Sequence, residues 1–400
     1  METRAGDPGA FAQFDLSRVD SPAFVVDAAR LRANLAVLAD VRDRAGIKVL
    51  AALKAFSMWK VAPIVGEYLD GVCTSGLWEA QLAAEHYNHG EIATYCAAYK
   101  AKDLPEILRL SDHVIFNSPG QIARFAPQLA AARAAGQQFH VGLRINPLHA
   151  EGEVPRYDPC APHSRLGFPV NQLTADMLEG VDGLHFHTLC EQDFEPLQRT
   201  WEAVKPLIAP YLGQLKWLNF GGGHHITRAD YQRDELVAFL RAVKAETGCE
   251  LYLEPGEAVA LDAGILVGTV LDMHWNGMPL AITDISATCH MPDVIEAPYR
   301  PAMLGELPQI DTEIDETAGG AVRLGGPSCL AGDVIGDYRF PSGPEIGQRF
   351  AFLDQAHYSM VKTTTFNGVP LPSIWLWDSA SDELECVRRF SYADFRDRLS

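Results

Sequence analysis

Between residues 49 and 256, short apolar runs rich in β-branched side chains alternate with longer stretches whose apolar residues recur at helical spacing. The short runs are Val49–Leu53, Val72–Ser75, Ile92–Cys96, Val114–Asn117, His140–Asn146, Leu184–Thr188, Trp217–Phe220 and Leu251–Glu254, eight in all. Leu77–His89, Pro119–Ala135, Pro196–Leu212 and Arg228–Thr247 carry the helical spacing. Alternating strand and helix predicts a parallel sheet, and eight such units predict a (β/α)8 barrel. After Val259 the pattern changes to short strands between Gly/Pro turns: Gly264–Met273, Leu280–Ile285, Ala321–Leu324, Gln348–Leu353 and Ser373–Trp377. Ala23–Asp27 reads as a further strand of that part, and Ala28–Arg44 as a helix leading into the barrel. The expected fold is therefore α/β: a TIM-like barrel over residues 28–259, and a mainly antiparallel β domain from residues 16–27 and 260–400. Thr312–Gly320 is expected to be a mobile loop.

In such barrels, functional residues gather at the carboxyl ends of the strands. Lys54, Arg144, His187, Gly221–Gly223 and Glu254 fall there, on strands one, five, six, seven and eight. Lys54 closes an apolar strand, where a lysine needs a partner or a lowered pKa, and either condition suits imine chemistry. Gly221, Gly222 and Gly223 expose backbone N–H groups to an anion, with the following helix expected to add its dipole. Glu254 sits before the turn Pro255-Gly256 and is placed to keep a pyridine nitrogen protonated; Glu257 is a second carboxylate near the same mouth. His185 and His187 share a strand face. With His224 and His225 they leave two readings open, a metal site and a histidine stacked on an aromatic cofactor. Cys329, in Gly326-Pro327-Ser328-Cys329, has Asp333 nearby and is a candidate to carry a proton. Tyr358 offers a hydroxyl to a phosphate. Together these segments describe a pyridoxal 5'-phosphate site, in which the cofactor is the electron sink and the protein supplies orientation and electrostatics.

Composition narrows the classes. At 400 residues with 48% hydrophobic and 21% charged residues, the chain can build a large core. No apolar run approaches the roughly 18–20 residues that span a bilayer. Met1 to Asp15 lacks the layout of a signal peptide, and eight cysteines without a CxxC pair read as reduced thiols, so a cytoplasmic location is expected. A net charge of −19 argues against nucleic acid or an anionic membrane as partner and leaves room for a small cationic substrate.

With these residues in hand, the chain resembles the alanine-racemase-like, fold-type III pyridoxal-phosphate decarboxylases, which include ornithine and diaminopimelate decarboxylases. Within them it looks most like the carboxynorspermidine/carboxyspermidine decarboxylase branch. The resemblance runs from Ser21-Pro22-Ala23-Phe24-Val25-Val26-Asp27 to Phe366-Asn367-Gly368. It is strongest at His187–Gln192, Leu253–Ala258, Ala287–Val294, Pro298–Pro301 and Gly326–Asp333. It implies Lys54 as the Schiff-base lysine, His187 stacked on the ring, and Gly221–Gly223 with Tyr358 on the phosphate. It also implies Glu254 at the pyridine nitrogen and Cys329 as proton donor, reaching the site from the partner of a head-to-tail homodimer. Two departures matter. Ornithine and diaminopimelate decarboxylases carry arginine where Glu257 stands, and an acidic residue after the cysteine where this chain has Leu330. The expected substrate is therefore a carboxylated polyamine, giving norspermidine or spermidine plus CO2, with Glu257, Asp293 and Asp333 as candidates for its cationic amines. The rival readings are a diaminopimelate or related amino-acid decarboxylase, a barrel metal hydrolase using His185, His187 and His224, and a non-catalytic polyamine-binding regulator.

Overall fold

The computed structural model describes residues 3–4, 6–152, 157–308 and 320–400; most of the loop expected at Thr312–Gly320 lies outside the described residues. The chain forms two compact units, Arg32–Val259 and Met1–Leu31 with Ala260–Ser400.

The first unit is a closed barrel. Its eight strands are Lys48–Ala52, Gly71–Thr74, Glu91–Tyr95, His113–Phe116, His140–Asn146, Gly183–His185, Trp217–Asn219 and Glu250–Leu253. Each pairs in parallel with the next, and the eighth returns to the first with Tyr252 opposite Lys48. The lumen is filled by Leu50, Ala93, Ile115, Trp217 and Tyr252. Glycine is required around Trp217: a Cβ at Gly142 or Gly183 would lie 2.6 Å or 2.0 Å from the indole. All eight expected strands are present. The sixth is shorter than expected, ending at His185, so that Phe186–Thr188 belong to the mouth. The last helix runs Arg233–Thr247 rather than from Arg228, because Arg233 donates to the carbonyls of Ile226 and Arg228 and holds that approach as turns.

The second unit is a sheet of eight strands. Its spine, Gly264–Trp275, pairs antiparallel with Ala23–Asp27, Pro279–Thr283 and Arg349–Phe352. Two pairings are parallel, Ala23–Asp27 with Ser373–Asp378 and Pro279–Thr283 with Val322–Gly325, so the sheet is mixed. Parallel neighbours need long connections, and the chain between residues 27 and 373 supplies one. Two apolar clusters pack in this unit, one centred on Phe24, Leu266, Tyr338 and Phe352, the other on Val25, Ile265, Trp375 and Trp377. Among the described residues, no helix is long and apolar enough to cross a membrane.

Candidate active site

Backbone hydrogen bonds tie three strand ends of the barrel into one rim. Ala52 N–H donates to the Pro255 carbonyl at 2.9 Å, joining the Lys54 turn to the Glu254 turn. Glu254 N–H donates to the Gly221 carbonyl at 2.7 Å, joining that turn to the glycine loop. Gly256 allows the first contact, since a Cβ there would lie 2.7 Å from that of Ala55.

Lys54 stands in the turn after the first strand, with its side chain accessible. Being reachable does not leave it fully hydrated. Loss of hydration pulls its pKa down, Arg144 adds to this, and Cys73 and Glu254 oppose it. Its Nζ lies 3.4 Å from His187 Nε2. His187 Nδ1 accepts the Gly222 N–H at 3.0 Å, which places the ring proton on Nε2. A contact of that Nε2–H with Nζ requires a lone pair on the amine. Burial and the neighbouring Lys54 and Arg144 cations hold the His187 pKa well below its ordinary value, in line with a neutral ring. A lysine whose pKa is lowered in this way gives up its proton more readily to become a nucleophilic amine.

Glu254 is buried and holds two donors, Asn219 Nδ2 at 2.7 Å on Oε1 and His185 Nε2 at 3.2 Å on Oε2. Burial alone would raise its pKa, but His185, Asn219 and Lys54 outweigh this and keep the carboxylate ionised. Cys73 lies beside it, its thiol pushed well up by burial and by that negative charge. The Arg144 guanidinium packs 4.6 Å from the Tyr95 ring and donates to the His187 carbonyl at 3.1 Å.

The glycine loop departs from its expected role in two ways. Gly221 N–H donates to Asn219 Oδ1 at 2.8 Å and Gly222 N–H to His187, so two of the three amides serve the protein itself. Among the described residues, Gly223 N–H is the one without a protein acceptor. The following helix begins only at Arg233 and adds no dipole at the loop, correcting that expectation. The glycines answer backbone demands instead. Gly221 and Gly223 have φ of 66° and 90°, and a Cβ on Gly222 would lie 2.0 Å from the Glu254 carbonyl oxygen.

Glu257 is only 8% exposed and lies 3.2 Å from His225 Nε2, so it is not a solvated loop charge. His224 Nδ1 bonds the Tyr231 hydroxyl at 2.6 Å. The four histidines thus face four different partners. Among the described residues, no group of three His, Cys, Asp or Glu could hold a metal ion. Asn219 carries no role in the sequence reading; its one signal is a polar side chain inside the apolar run Trp217–Phe220.

In the second unit, Cys329 is exposed on a loop built around Asp333. Asp333 Oδ2 accepts Ser328 Oγ at 2.6 Å and Ser286 Oγ at 2.8 Å, while Cys329 N–H donates to Asn367 Oδ1 at 2.7 Å. Asp333 is buried and shapes this loop. Asp293 opens a short helix with its carboxylate 2.5 Å from the Lys362 ammonium. Tyr358 is half-buried with φ of 50°, its ring 5.8 Å from that ammonium.

The donor set of the barrel mouth suits pyridoxal phosphate. A neutral lysine amine can bind its carbonyl carbon, an ionised carboxylate its ring nitrogen, and an unengaged amide its phosphate. No family model matches the chain. Its fold is that of the diaminopimelate decarboxylase class: the enzyme from Helicobacter pylori superposes with a TM-score of 0.78 at 17% identity, over 96% of this chain and 98% of that one. The crystal structure of carboxynorspermidine decarboxylase from Campylobacter jejuni, in complex with norspermidine, superposes with a TM-score of 0.84 at 38% identity, over 95% of this chain and all of that one. The carboxynorspermidine/carboxyspermidine decarboxylase of Campylobacter jejuni is 40% identical over 383 residues, covering 94% of this chain and 98% of that protein. The carboxyaminopropylagmatine decarboxylase of Synechocystis is 39% identical over 386 residues, covering 96% of each. The chain belongs to the carboxynorspermidine/carboxyspermidine decarboxylase family of carboxy-lyases. Diaminopimelate decarboxylases match less of it, 33% identity over 147 residues in one case, so that rival fits less well.

Proposed function

We propose that this chain decarboxylates carboxynorspermidine, carboxyspermidine or both, giving norspermidine or spermidine plus CO2. In this reading it uses pyridoxal 5'-phosphate and acts as a cytoplasmic homodimer with shared sites. The observation that carries the reading is the placement, in one barrel mouth, of Lys54, its pKa lowered by burial, with an ionised Glu254 carboxylate.

Once bound, pyridoxal phosphate supplies the sink for the electron pair left on the substrate Cα when CO2 departs. Lys54 Nζ is the group that would hold the cofactor's carbonyl carbon until the substrate's α-amine takes its place. His187, tied to the glycine loop through Nδ1, keeps its ring fixed beside Lys54. Glu254 would hold a proton on the ring nitrogen, and Gly223 N–H and Tyr358 would hold the phosphate. When the Cα–carboxylate bond breaks, the partner subunit's Cys329 would deliver the proton that replaces CO2 on Cα. Glu257 receives a cationic amine of the substrate, while Asp293 and Asp333 enter the same proposal with their oxygens already engaged.

Borohydride reduction of the holoenzyme followed by peptide mapping is expected to place the pyridoxyl group on Lys54; finding it on Lys48 or Lys60 would remove the assignment. CO2 release from each substrate, with and without pyridoxal phosphate, tests the activity. Mixing inactive Lys54→Ala and Cys329→Ala proteins should restore part of the turnover if sites are shared. No recovery after demonstrated subunit exchange would count against sharing.

A second reading has its own support. The Synechocystis relative, nearly as similar, is a carboxyaminopropylagmatine decarboxylase. Its substrate ends in a guanidinium rather than an ammonium, and a buried carboxylate such as Glu257 suits either. Carboxyaminopropylagmatine therefore belongs in the same assay.

A further inference from the structure

Glu254 is held in an unusual way for a buried carboxylate: neither of its donors is a lysine or arginine. Asn219 takes Oε1 and His185 takes Oε2. Arg144, the guanidinium of the same mouth, is directed instead to the Tyr95 face and the His187 carbonyl. We propose that Asn219 and His185 are positioning residues that fix the Glu254 carboxylate through one neutral hydrogen bond on each oxygen, leaving its negative charge for a cationic ring nitrogen. This inference rests on the proposed placement of pyridoxal phosphate against Glu254.

Three features support it. The Asn219 amide has only one orientation open to it, because Oδ1 accepts the Gly221 N–H at 2.8 Å and Nδ2 is thereby turned to Glu254. His185 is 2% exposed, and its Nδ1 has no hydrogen-bond partner among the described residues. A protonated ring would bury that Nδ1–H unpaired, so the neutral ring with its proton on Nε2 is favoured, and the donor to Glu254 carries no charge. Finally, each carboxylate oxygen has a second lone pair, so both donors leave room for a third hydrogen bond. A lysine or arginine in place of either residue would fix the carboxylate equally well but would cancel its charge. The arrangement also ties the ring-nitrogen end of the site to the glycine loop, since Asn219 bonds both Glu254 and Gly221.

The test follows the protonation of an isotope-labelled ring nitrogen by NMR in the reconstituted holoenzyme, between about pH 6 and 9. Glu254→Gln sets the signal for a lost counter-ion. Asn219→Asp keeps the Gly221 acceptor but replaces the donor with a second negative charge. Asn219→Ser removes the donor with little added strain, and His185→Leu removes the other. Each is expected to change the ring-nitrogen protonation profile and to lower kcat by about 10- to 100-fold, the range of a hydrogen bond to a charged group, with KM little changed. His185→Gln, which retains a donor, should recover most of the wild-type profile. If the Asn219 and His185 variants keep the wild-type profile while Glu254→Gln loses it, the positioning roles are wrong and the placement of Glu254 stands. If Glu254→Gln itself keeps the profile, the placement against the ring nitrogen fails.

Discussion

Burial separates the carboxylates that this sequence offers to a cationic substrate. Glu257 is 8% exposed and shares its mouth-side turn with Glu254, whereas Asp293 already holds the Lys362 ammonium at 2.5 Å. A charge-assisted hydrogen bond to a buried carboxylate is worth roughly 1.5–3 kcal/mol, so Glu257→Gln is expected to raise KM for the polyamine by about 10- to 100-fold. The absorbance of the bound cofactor should stay unchanged. Asp293→Asn first releases Lys362 and should change KM only a few-fold, roughly the effect of a partly exposed pair. Steady-state kinetics on both variants separates the two, and equal wild-type KM values would remove the acidic account of specificity. The sequence makes Lys54, His187, Glu254 and Cys329 legible as candidates because each is a chemically distinctive residue at a strand end or in a glycine-rich turn. Asn219 and the service of His185 to Glu254 are not legible, because they depend on hydrogen bonds between the sixth, seventh and eighth strands, 35 and 69 residues apart in the chain.

Elements of the barrel were predictable for a simple physical reason: strands enclosed on both faces are mainly apolar, as Val49–Ala52, Val114–Phe116 and Leu251–Leu253 show. Val334–Tyr338 and Glu383–Arg388 escape such a reading because they lie at the two ends of the sheet order and are only partly covered, the first exposing Val334 and the second Glu383, Glu385 and Arg388. Ala62–Tyr68 and Leu104–Leu110 escape it because seven residues are too few to show a period. The glycine loop was legible as a motif, yet its geometry changes what the motif does. It is tight at both Gly222 and Gly223, where an added Cβ would lie 2.0 Å and 1.9 Å from backbone oxygens that no rotamer can move. Gly222→Ala must therefore displace either the loop or the Glu254 turn, a cost of roughly 1–3 kcal/mol. Its expected result is a fall in cofactor affinity of at least about tenfold, measured by equilibrium dialysis, since that energy is worth one to two decades. Gly213→Ala, where nothing lies within 4 Å, should leave affinity unchanged. Equal affinities in both variants would show that the loop's geometry does not govern cofactor binding.

Across the whole molecule, buried neutral histidines set the response to acid. In the barrel, His224 is almost fully buried, its Nδ1 on the Tyr231 hydroxyl, and burial pulls its pKa down to about 3. In the β unit, His290 Nδ1 accepts the Ser286 N–H at 3.2 Å and its Nε2 donates to the Pro370 carbonyl at 3.0 Å. A second proton on that ring would face another donor, and burial holds its pKa near about 4. Both values lie below the unfolded histidine value of about 6.5, so the unfolded chain takes up protons first as pH falls. Stability is then full above that value and declines toward the two folded values. Between pH 7 and 5 the two residues together should remove on the order of 3–4 kcal/mol, before most carboxylates titrate. Glu91 adds a later loss. Burial would raise its pKa, but His113 and Lys48 overcome this and hold it at about 2, so its contribution disappears only as pH falls below about 4.5. Urea unfolding at several pH values should show the first decline between about pH 6.5 and 5, and a His290→Gln protein should show a shallower one. A stability that stays flat down to pH 5 would mean that these two imidazoles are not kept neutral by the fold.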